Sequence, residues 1–196
     1  MSYSKKIIRI FTEMPVFDDS QLNLGTQPQK DQDINDKRLA SLSKLNKLVG
    51  KHNLQNNISI EMLENQAQSN LNVYLIQTLG GKRHVIGLLD IMDNGFPYPS
   101  VQMSYVDKEF QGKGYSKLMY KMSIHYLGGL VSDAKLTGEK GHGSFNIWLS
   151  LGKEFFSYII DENGTPHEIG QFDRSTMNSE ETRFMVTEDE YEEETY

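Results

Sequence analysis

The sequence predicts an α/β fold, in which one mixed β-sheet is flanked by helices on its faces. Three consecutive segments, 72–78, 84–92 and 100–106, are rich in the apolar and β-branched residues typical of strands. Two others, 36–50 and 117–127, carry apolar residues at helical spacing. The chain of 196 residues is long enough for one well-buried domain, and no composition change indicates a linker between two domains.

The first 70 residues predict a strand, a long loop and two helices. The segment IIRIF, residues 7–11, is an apolar run that predicts an opening strand. Residues 12–35 are polar and contain prolines and a glycine, so they predict a loop or a lid. Leucines recur at helical spacing through 36–50, with an aspartate at one end as a cap and a glycine at the other as a stop. A second, short helix is predicted over residues 59–67.

The middle of the chain predicts a β-hairpin followed by a third strand. Segments 72–78 and 84–92 flank the sequence LGGKR, in which Gly80 and Gly81 allow the positive φ angles of a tight hairpin turn. The segment DNGFPYP then interrupts the pattern, and 100–106 predicts the next strand. Three sequential strands of this kind predict the centre of the sheet.

The second half of the chain predicts alternating helices and strands. A helix over 117–127 is stopped by a pair of glycines, and Ser144 is predicted to cap a second helix. Strands are predicted at 129–133, 155–160 and 182–188. We therefore predict one domain over residues 1–188, followed by an exposed acidic tail at 189–196.

The composition excludes several classes of function. The formal net charge is −7, which argues against non-specific binding to nucleic acid, because that binding needs clustered lysine and arginine. There is no cysteine, so disulfides, zinc–thiolate sites and cysteine nucleophiles are excluded, and a reducing compartment such as the cytoplasm is expected. No apolar run approaches the roughly 18 residues of a spanning helix, and the N-terminal residues predict no signal peptide.

The segment EFQGKGYSKL, residues 109–118, places two glycines between a predicted strand and a predicted helix. Backbone N–H groups and the helix dipole converge at such a turn, and Gly112 and Gly114 lack the Cβ atoms that would keep a ligand away. Lys113 adds a positive charge. This chemistry suits a phosphate or a pyrophosphate. The spacing is neither a Walker A loop nor GxGxxG, and a GxG turn by itself is more often only a turn.

The residues around this turn resemble motif A of the GNAT (Gcn5-related N-acetyltransferase) superfamily. In VDKEFQGKGYS, residues 106–116, Gln111 and Gly114 match the family pattern Q/R-x-x-G-x-G/A, and Ser116 stands at its last position in place of glycine or alanine. The resemblance implies that acetyl-CoA is the cofactor, that backbone amides hold its pyrophosphate, and that Tyr105 and Val106 contact the pantetheine arm. The coenzyme-binding residues implied in this way are Tyr105, Val106, Gln111, Gly112, Lys113, Gly114, Tyr115 and Ser116.

A second segment, WLSLGK at 148–153, is similar to the end of motif B of the same family. Trp148 falls on the aromatic position and Gly152 on the glycine, and the resemblance then covers about residues 72–160. It implies a single-domain GNAT-like fold. The family often has a tyrosine at the aromatic position, where its hydroxyl protonates the departing thiolate. The indole N–H of Trp148 cannot act as an acid near neutral pH.

Acetyl transfer to an amine needs an oxyanion donor and a base. By resemblance, the backbone N–H of Val106 supplies the donor. For the base we favour Asp133, at the end of the strand 129–133, and the alternative is that Asp133 caps a turn. Alternative bases are Asp107 and Glu109 in the motif A loop, where a carboxylate is more typical of a solvated loop. Asp90 and Asp93, at the end of the strand 84–92, are candidates for shaping the substrate opening and are more typical of strand-end caps.

The remaining polar residues near the motifs have simpler interpretations. His125 is expected on the surface or packed against the fold, and His142 lies in a glycine-rich segment without a second ligand at metal spacing. No metal site is therefore predicted. Ser144 and Asn146 begin the motif B helix, where the family often contacts the coenzyme, and a cap accounts equally well for Ser144.

Two functions remain open at this point. The first is an acetyl-CoA-dependent N-acyltransferase acting on an amine of a small molecule or a protein, with the acidic net charge favouring a cationic acceptor. The second is a GNAT-like protein with weak or no catalysis, encoded by a phage or mobile element, that acts by binding a partner protein. Trp148, the polar segment 12–35 and the acidic tail favour the second. The oligomeric state is open, with a dimer as one alternative.

Overall fold

The computed structural model describes residues 39–40, 46–65, 69–133, 143–161, 164–169 and 183–191 of the chain. Its α-helices are α1 (Tyr115–Leu127) and α2 (Gly143–Leu151), and a 3₁₀ turn covers Lys108–Phe110. Its strands are β1 (Lys47–Asn53), β2 (Ile58–Asn65), β3 (Asn70–Leu79), β4 (Lys82–Met92), β5 (Ser100–Val106), β6 (Gly129–Val131), β7 (Phe156–Ile160), β8 (Pro166–Glu168) and β9 (Arg183–Thr187). No helix among these residues is long and apolar enough to cross a membrane.

The nine described strands form a mixed sheet in the order β1-β2-β3-β4-β5-β6-β9-β7-β8. This order, together with the helices, confirms the predicted α/β class. The chain divides into two compact units that alternate along the sequence. The first unit comprises residues 1–92 and 103–119, and the second comprises 93–102 and 120–196. Strand β5 and helix α1 each have residues in both units.

The first unit contains an antiparallel meander of β1 to β4. The predicted hairpin is confirmed, because β3 and β4 pair along their length and Gly80 and Gly81 turn the chain with φ angles of 57° and 81°. A register shift in this pairing leaves Ile86 of β4 without an opposite residue on β3. Such a β-bulge bends the strand that contains it.

The meander holds a hydrophobic core and a buried carboxylate. Glu61 on β2 is only 1% exposed, and its carboxylate lies 3.0 Å from Lys51 Nζ and also binds Arg83. Removing one partner of such a buried ion pair lowers the free energy of unfolding by about 3–5 kcal/mol. The two cations therefore offset the cost of burying this carboxylate. The buried core residues packed together here are Leu39, Leu63, Tyr74, Ile76, Val85 and Leu88.

The helix predicted over 36–50 is wrong in its second half. Leu39 and Ala40 are helical, residues 41–45 lie outside the described part, and Lys47–Asn53 is strand β1. The leucine spacing that predicted a helix is local. The pairing of β1 with β2 satisfies the backbone of 47–53 instead, and local spacing does not show that partner.

The short helix predicted over 59–67 is also wrong, because Ile58–Asn65 is strand β2. Its first six residues are all buried. Ile58, Ile60 and Met62 alternate with polar residues, which is the period of a strand. With β1 on one side and β3 on the other, β2 has both backbone edges hydrogen-bonded, and this outweighs the helix propensity of glutamate and leucine.

The second unit contains β6, β9, β7 and β8 as hydrogen-bonded neighbours, with α2 and most of α1. Strand β9 pairs antiparallel with β6 and β7, and β7 pairs antiparallel with β8, which confirms the strands predicted at 155–160 and 182–188. The register of β5 and β6 has one parallel pair, Ser100 with Val131. The core of this unit is formed by Val131, Tyr158, Ile160 and Met185, with Phe96, Tyr98 and Tyr191 packed against it.

Helix α1 is confirmed, with its start two residues earlier than predicted. Gly128 follows with a φ of 81°, and its N–H donates to the Ile124 carbonyl at 2.7 Å, so this glycine ends the helix as predicted. Of the apolar residues at helical spacing in 117–127, Met119 is buried, whereas Leu118 and Met122 are only half-buried. The buried face of the helix includes a polar residue, Ser123, so apolar spacing alone does not identify it. The buried face consists of Met119, Tyr120, Ser123 and Ile124.

The predicted acidic tail, 189–196, is not wholly exposed. The ring of Tyr191 packs edge-on against Tyr98 and Tyr158, with centroids 6.4 and 5.9 Å apart. Its N–H also donates to the Tyr158 hydroxyl at 2.8 Å. An aromatic side chain therefore attaches this part of the acidic segment to the second unit. Outside the described residues lie 192–196, the predicted strand 7–11 and the predicted loop 12–35.

Candidate functional site

The end of β5 is fixed by two hydrogen bonds. The Asp107 N–H donates to the carbonyl of Ile86, the bulged residue of β4, at 2.8 Å. The side chain of Gln111 turns back and donates from Nε2 to the Val106 carbonyl at 2.8 Å. The glutamine of the motif therefore has a structural role here, because it closes the loop onto the strand that precedes it.

Gly87 of β4 lets the backbone of β5 approach closely. This residue was not predicted from the sequence as part of the site. A Cβ at this position would lie 3.0 Å from the Tyr105 carbonyl oxygen and 3.1 Å from both Leu75 Cβ and Val106 Cγ2. Real Cβ atoms rarely come so close to other atoms, so any side chain would displace the strand end. An isolated glycine inside a strand pattern is the signal that could have found it.

The loop itself is open to solvent and has the backbone shape of a cradle. After the 3₁₀ turn, Gln111 is extended with φ −66° and ψ 158°. Gly112 and Gly114 then have φ angles of 73° and 80°, which glycine adopts without strain. A Cβ at either glycine would meet no atom within 4 Å, so the space beside the loop is empty.

Helix α1 begins directly at this loop, so its first N–H groups follow the two glycines in the chain. The first helical hydrogen bond runs from the Leu118 N–H to the Gly114 carbonyl at 3.0 Å. The N–H groups of Gly114, Tyr115 and Ser116 precede that bond, so they have no acceptor within the helix. The first turn contains no acidic residue that would neutralise the positive end of the helix dipole.

Lys113 adds a full positive charge to the partial positive charge at the N-terminus of α1. Its ammonium nitrogen lies 5.0 Å from the centroid of the Phe110 ring, a cation–π distance that holds the side chain beside the loop. Glu109, one of the alternative carboxylates, is exposed in the preceding 3₁₀ turn and is therefore screened by water. The loop thus combines backbone N–H donors, a helix dipole and a lysine, which together suit an anionic ligand.

Tyr105 and Asp107 bind each other at the edge of this loop. The Tyr105 hydroxyl donates to the Asp107 carboxylate. Burial and then this hydrogen bond and charge raise the pKa of Tyr105 to about 12. The ordinary value is about 10, so the phenol stays protonated throughout the neutral range. Asp107, another alternative base, is therefore already a hydrogen-bond acceptor.

Asp133, the predicted base, lies in the second unit, just after β6. It is exposed, and its backbone carbonyl accepts a hydrogen bond from Ser132 Oγ at 3.0 Å. Its role as a base stays a prediction. Among the other carboxylates, Asp93 accepts from the Gly95 N–H at 3.1 Å, which is the turn cap expected as its alternative, and Asp90 is half-buried.

Trp148 is a core residue of the second unit. It is 1% exposed, and its ring meets Tyr120 edge-on with centroids 5.6 Å apart and an interplanar angle of 88°. The Gly152 N–H donates to the Trp148 carbonyl at 2.9 Å, so the glycine of the segment continues the helical hydrogen bonds. The indole packs in the interior, which accounts for a large aromatic residue at this position without a proton-transfer role.

The remaining predicted polar residues are distributed as follows. His125 is exposed and its Nδ1 lies 3.0 Å from Glu188, while its ring packs edge-on with Phe155, in agreement with the surface interpretation. Asn146 is exposed on α2, which begins at Gly143, one residue before the predicted cap. His142 lies outside the described residues. Within the described part of the chain, no group of three acidic or histidine side chains could hold a metal ion.

Three solved structures illustrate what this fold is similar to. An acetyltransferase of the GNAT family from Staphylococcus aureus Mu50 matches at 12% identity and TM-score 0.39, with 61% of this chain and 68% of that chain covered. The ribosomal-protein-S18-alanine N-acetyltransferase from Escherichia coli matches at 14% identity and TM-score 0.37, covering 65% and 74%. The IAA acetyltransferase from Bacillus cereus ATCC 14579 matches at 16% identity and TM-score 0.34, covering 60% and 75%.

The three matched structures are acetyltransferases by name, and the one from Staphylococcus aureus is named as a member of the GNAT family. No family model matches the chain, and no curated protein matches it.

Proposed function

We propose that this chain is a GNAT-type N-acyltransferase, which uses acetyl-CoA to acetylate an amine of a small molecule or of a protein. The observation that carries the proposal is the loop between β5 and α1, where Gly112 and Gly114 have positive φ and open space at their Cβ positions, directly before the first N–H groups of α1. Lys113 contributes the charge that a pyrophosphate requires. The domain is proposed to cover residues 1–188.

In this proposal, the coenzyme supplies a thioester whose carbonyl carbon is open to attack by an amine. The loop residues from Gln111 to Ser116 hold its pyrophosphate through backbone N–H groups, and Tyr105 and Val106 contact the pantetheine arm. The N–H of Val106 donates to the oxyanion that forms on attack. Asp133 takes the proton from the acceptor ammonium, so that the neutral amine attacks.

The departing thiolate needs no acid from Trp148 in this scheme. A thiol has a pKa of about 8.5, so a thiolate leaves readily near neutral pH, and solvent carries to it the second proton that the attacking nitrogen loses as the amide forms. Because acetyl-CoA is an intracellular cosubstrate, the proposal also places the protein in the cytoplasm.

Thermal unfolding in the presence of coenzyme A tests the binding step. A ligand that binds only the folded state raises the unfolding temperature, by an amount that grows with its concentration over its dissociation constant. We expect a rise at millimolar coenzyme A, and release of free thiol from acetyl-CoA when a suitable amine is added. No rise at millimolar coenzyme A or acetyl-CoA would overturn the proposal.

A second function is favoured by one observation. Trp148 is buried against Tyr120, so the position that often supplies the acid in the GNAT family has no ionisable group. The alternative is a protein that binds a partner and catalyses weakly or not at all. A rise in unfolding temperature with coenzyme A, without thiol release across a broad panel of amines and basic peptides, would favour this alternative.

A further inference from the structure

Arg183, at the start of β9 in the second unit, has an environment that suits an anionic ligand. Its guanidinium carbon lies 4.7 Å from the centroid of the Phe96 ring, and Nη1 donates to the Ser132 carbonyl at 3.4 Å. The side chain is half-buried. Stacking on a ring and one long hydrogen bond orient the planar group and leave most of its donors unused.

No carboxylate within the described ranges forms an ion pair with Arg183. This is notable in a chain with 27 acidic and 20 basic residues, where Lys51, Lys121 and Arg83 all have such partners. A partly buried guanidinium with no carboxylate partner among the described residues has lost hydration there without gaining a charged partner. The arrangement is therefore suited to an anion that arrives with a ligand.

Asp133, an exposed residue of the same unit, directly follows the residue that Arg183 contacts. Ser132 connects the two, because its carbonyl accepts from Arg183 and its hydroxyl donates to the backbone carbonyl of Asp133 at 3.0 Å. The Phe184 N–H donates to the Ser132 hydroxyl at 2.9 Å, which fixes Ser132 to β9. In the part of the chain that the structure describes, Asp133 and Arg183 have opposite charges, contact the same serine and form no ion pair with each other.

We propose that Arg183 and Asp133 form the acceptor subsite of the acyltransferase, in which Arg183 binds a carboxylate of the acceptor and Asp133 binds its ammonium group. The assignment of this subsite to the acceptor rests on the proposed function. The substrate class is then an amine that also bears a carboxylate, such as an α-amino acid. Arginine binds a carboxylate through two parallel N–H···O bonds, and a ring behind the guanidinium fixes the plane of that fork.

An acceptor of this kind refines the expectation from net charge. The acidic surface attracts a positive group over distance, whereas Arg183 acts locally on the carboxylate of the same molecule. The chemistry of Arg183 would also suit a phosphate of the coenzyme. Because Asp133 would repel a phosphate and attract an ammonium group, the zwitterion is the better match for the pair.

Equilibrium binding without any acyl donor tests the inference. Ligand-detected NMR would compare the common L-amino acids with their methyl esters, which keep the ammonium group and lose the carboxylate charge. For at least one amino acid, we expect the acid to bind wild-type protein roughly tenfold more tightly than its ester. Arg183→Gln should remove that difference, and Lys153→Gln, the same charge change at an exposed residue of the same unit, should keep it.

Two further variants separate recognition from stability. Arg183→Lys retains the charge without the fork, so the preference for the acid should shrink and not vanish. Phe96→Leu removes the stacking ring, and the preference should fall while the protein still unfolds cooperatively. A merely structural Arg183 would change the unfolding temperature in these variants and leave the ratio of acid to ester affinity unchanged.

The outcomes also separate this inference from the proposed function. No amino acid preferred over its ester, no binding of either, or a preference that persists in Arg183→Gln would overturn the inference, even where coenzyme A binds. Weaker binding of coenzyme A to Arg183→Gln, with no effect on amino acids, would assign Arg183 to a coenzyme phosphate and likewise overturn it. If the protein prefers the acid to its ester and does not bind coenzyme A, the binding of a zwitterion by Arg183 and Asp133 is supported and the proposed acyltransferase function is overturned.

Discussion

Two glycine turns of the first unit have almost the same backbone and different surroundings. Gly81, in the β3–β4 hairpin, and Gly114, before α1, have φ angles of 81° and 80°, and a Cβ at either would meet no atom within 4 Å. The hairpin joins two strands that pair with each other. The other loop leads into a helix whose first N–H groups have no helical acceptor. A positive φ angle therefore does not by itself indicate a ligand site. The two turns differ in whether nearby N–H groups lack a hydrogen-bond acceptor within their own element.

The largest expected effect comes from placing a carboxylate in each turn. Gly114→Glu should weaken coenzyme A binding by at least about tenfold, because two unit charges near a protein surface repel by up to about 4 kcal/mol at 4 Å, and 1.4 kcal/mol is already tenfold. Gly81→Glu imposes the same strain at nearly the same φ and should leave the affinity unchanged. Titration calorimetry measures both. Equal affinities in the two variants would contradict the assignment of the loop.

The next effect concerns Gly87, where contacts with neighbouring atoms, and not the φ angle, limit which side chain is accepted. Gly87→Ala should lower the free energy of unfolding by about 1–3 kcal/mol, the usual cost of overpacking, since its Cβ would lie 3.0 Å from the Tyr105 carbonyl oxygen. Urea denaturation measures this. Gly81→Ala, which has open space, should show only the φ strain of about 1–2 kcal/mol. Because Gly87→Ala moves the end of β5, it should also weaken coenzyme A binding, whereas Gly81→Ala should not.

A smaller effect is expected from the lysine beside each turn. Lys113→Gln should weaken coenzyme A binding by about threefold, as exposed charge pairs contribute up to about 1 kcal/mol. Lys82→Gln, beside Gly81, is the matched control and should have no effect. The Lys113 effect should fade as salt is added, because the site is exposed. An effect of Lys113→Gln that is independent of salt would mean that the lysine acts through the fold.

The smallest effect appears only at high pH. The pKa of Tyr105 is raised to about 12 in the folded protein, against about 10 in an unfolded chain. The folded state therefore favours the neutral phenol, and the stabilisation is complete below pH 10 and lost as the pH rises through 12. The difference in unfolding free energy between wild type and Tyr105→Phe should be constant below pH 10 and change above it in favour of the variant. Parallel pH profiles would contradict the raised pKa.

Local signals explain which parts of the fold were predictable. The Gly80-Gly81 hairpin, β5, the start of α1 and its stop at Gly128 all depend on residues close together in sequence. Turn chemistry and capping act over a few residues, so sequence spacing carries that information. The conformation of the loop between β5 and α1 was predictable for the same reason, since its strand, glycines and helix are consecutive.

The failures have two causes. Strands β1 and β2 were predicted as helices because the hairpin that joins them turns at Asn56 and Asn57, with φ angles of 60° and 57°, and this pair is a weaker turn signal than two glycines. The other failures concern contacts between residues far apart in sequence. The neutralisation of Glu61 by Arg83 joins residues 22 positions apart. Likewise, Arg183 meets Ser132 and Phe96 only after folding, so no spacing rule could connect it with Asp133. Contacts of this kind depend on the sheet and not on local sequence.

Amide-resolved hydrogen exchange tests the central claim most directly, because the claim concerns backbone N–H groups. Addition of coenzyme A should slow exchange at Gly114, Tyr115 and Ser116, and leave Gly80 and Gly81 unchanged. The same measurement on Gly114→Glu should show no protection at Tyr115 and Ser116. If saturating coenzyme A leaves exchange at these three N–H groups unaltered, the loop does not hold the pyrophosphate and the account is contradicted.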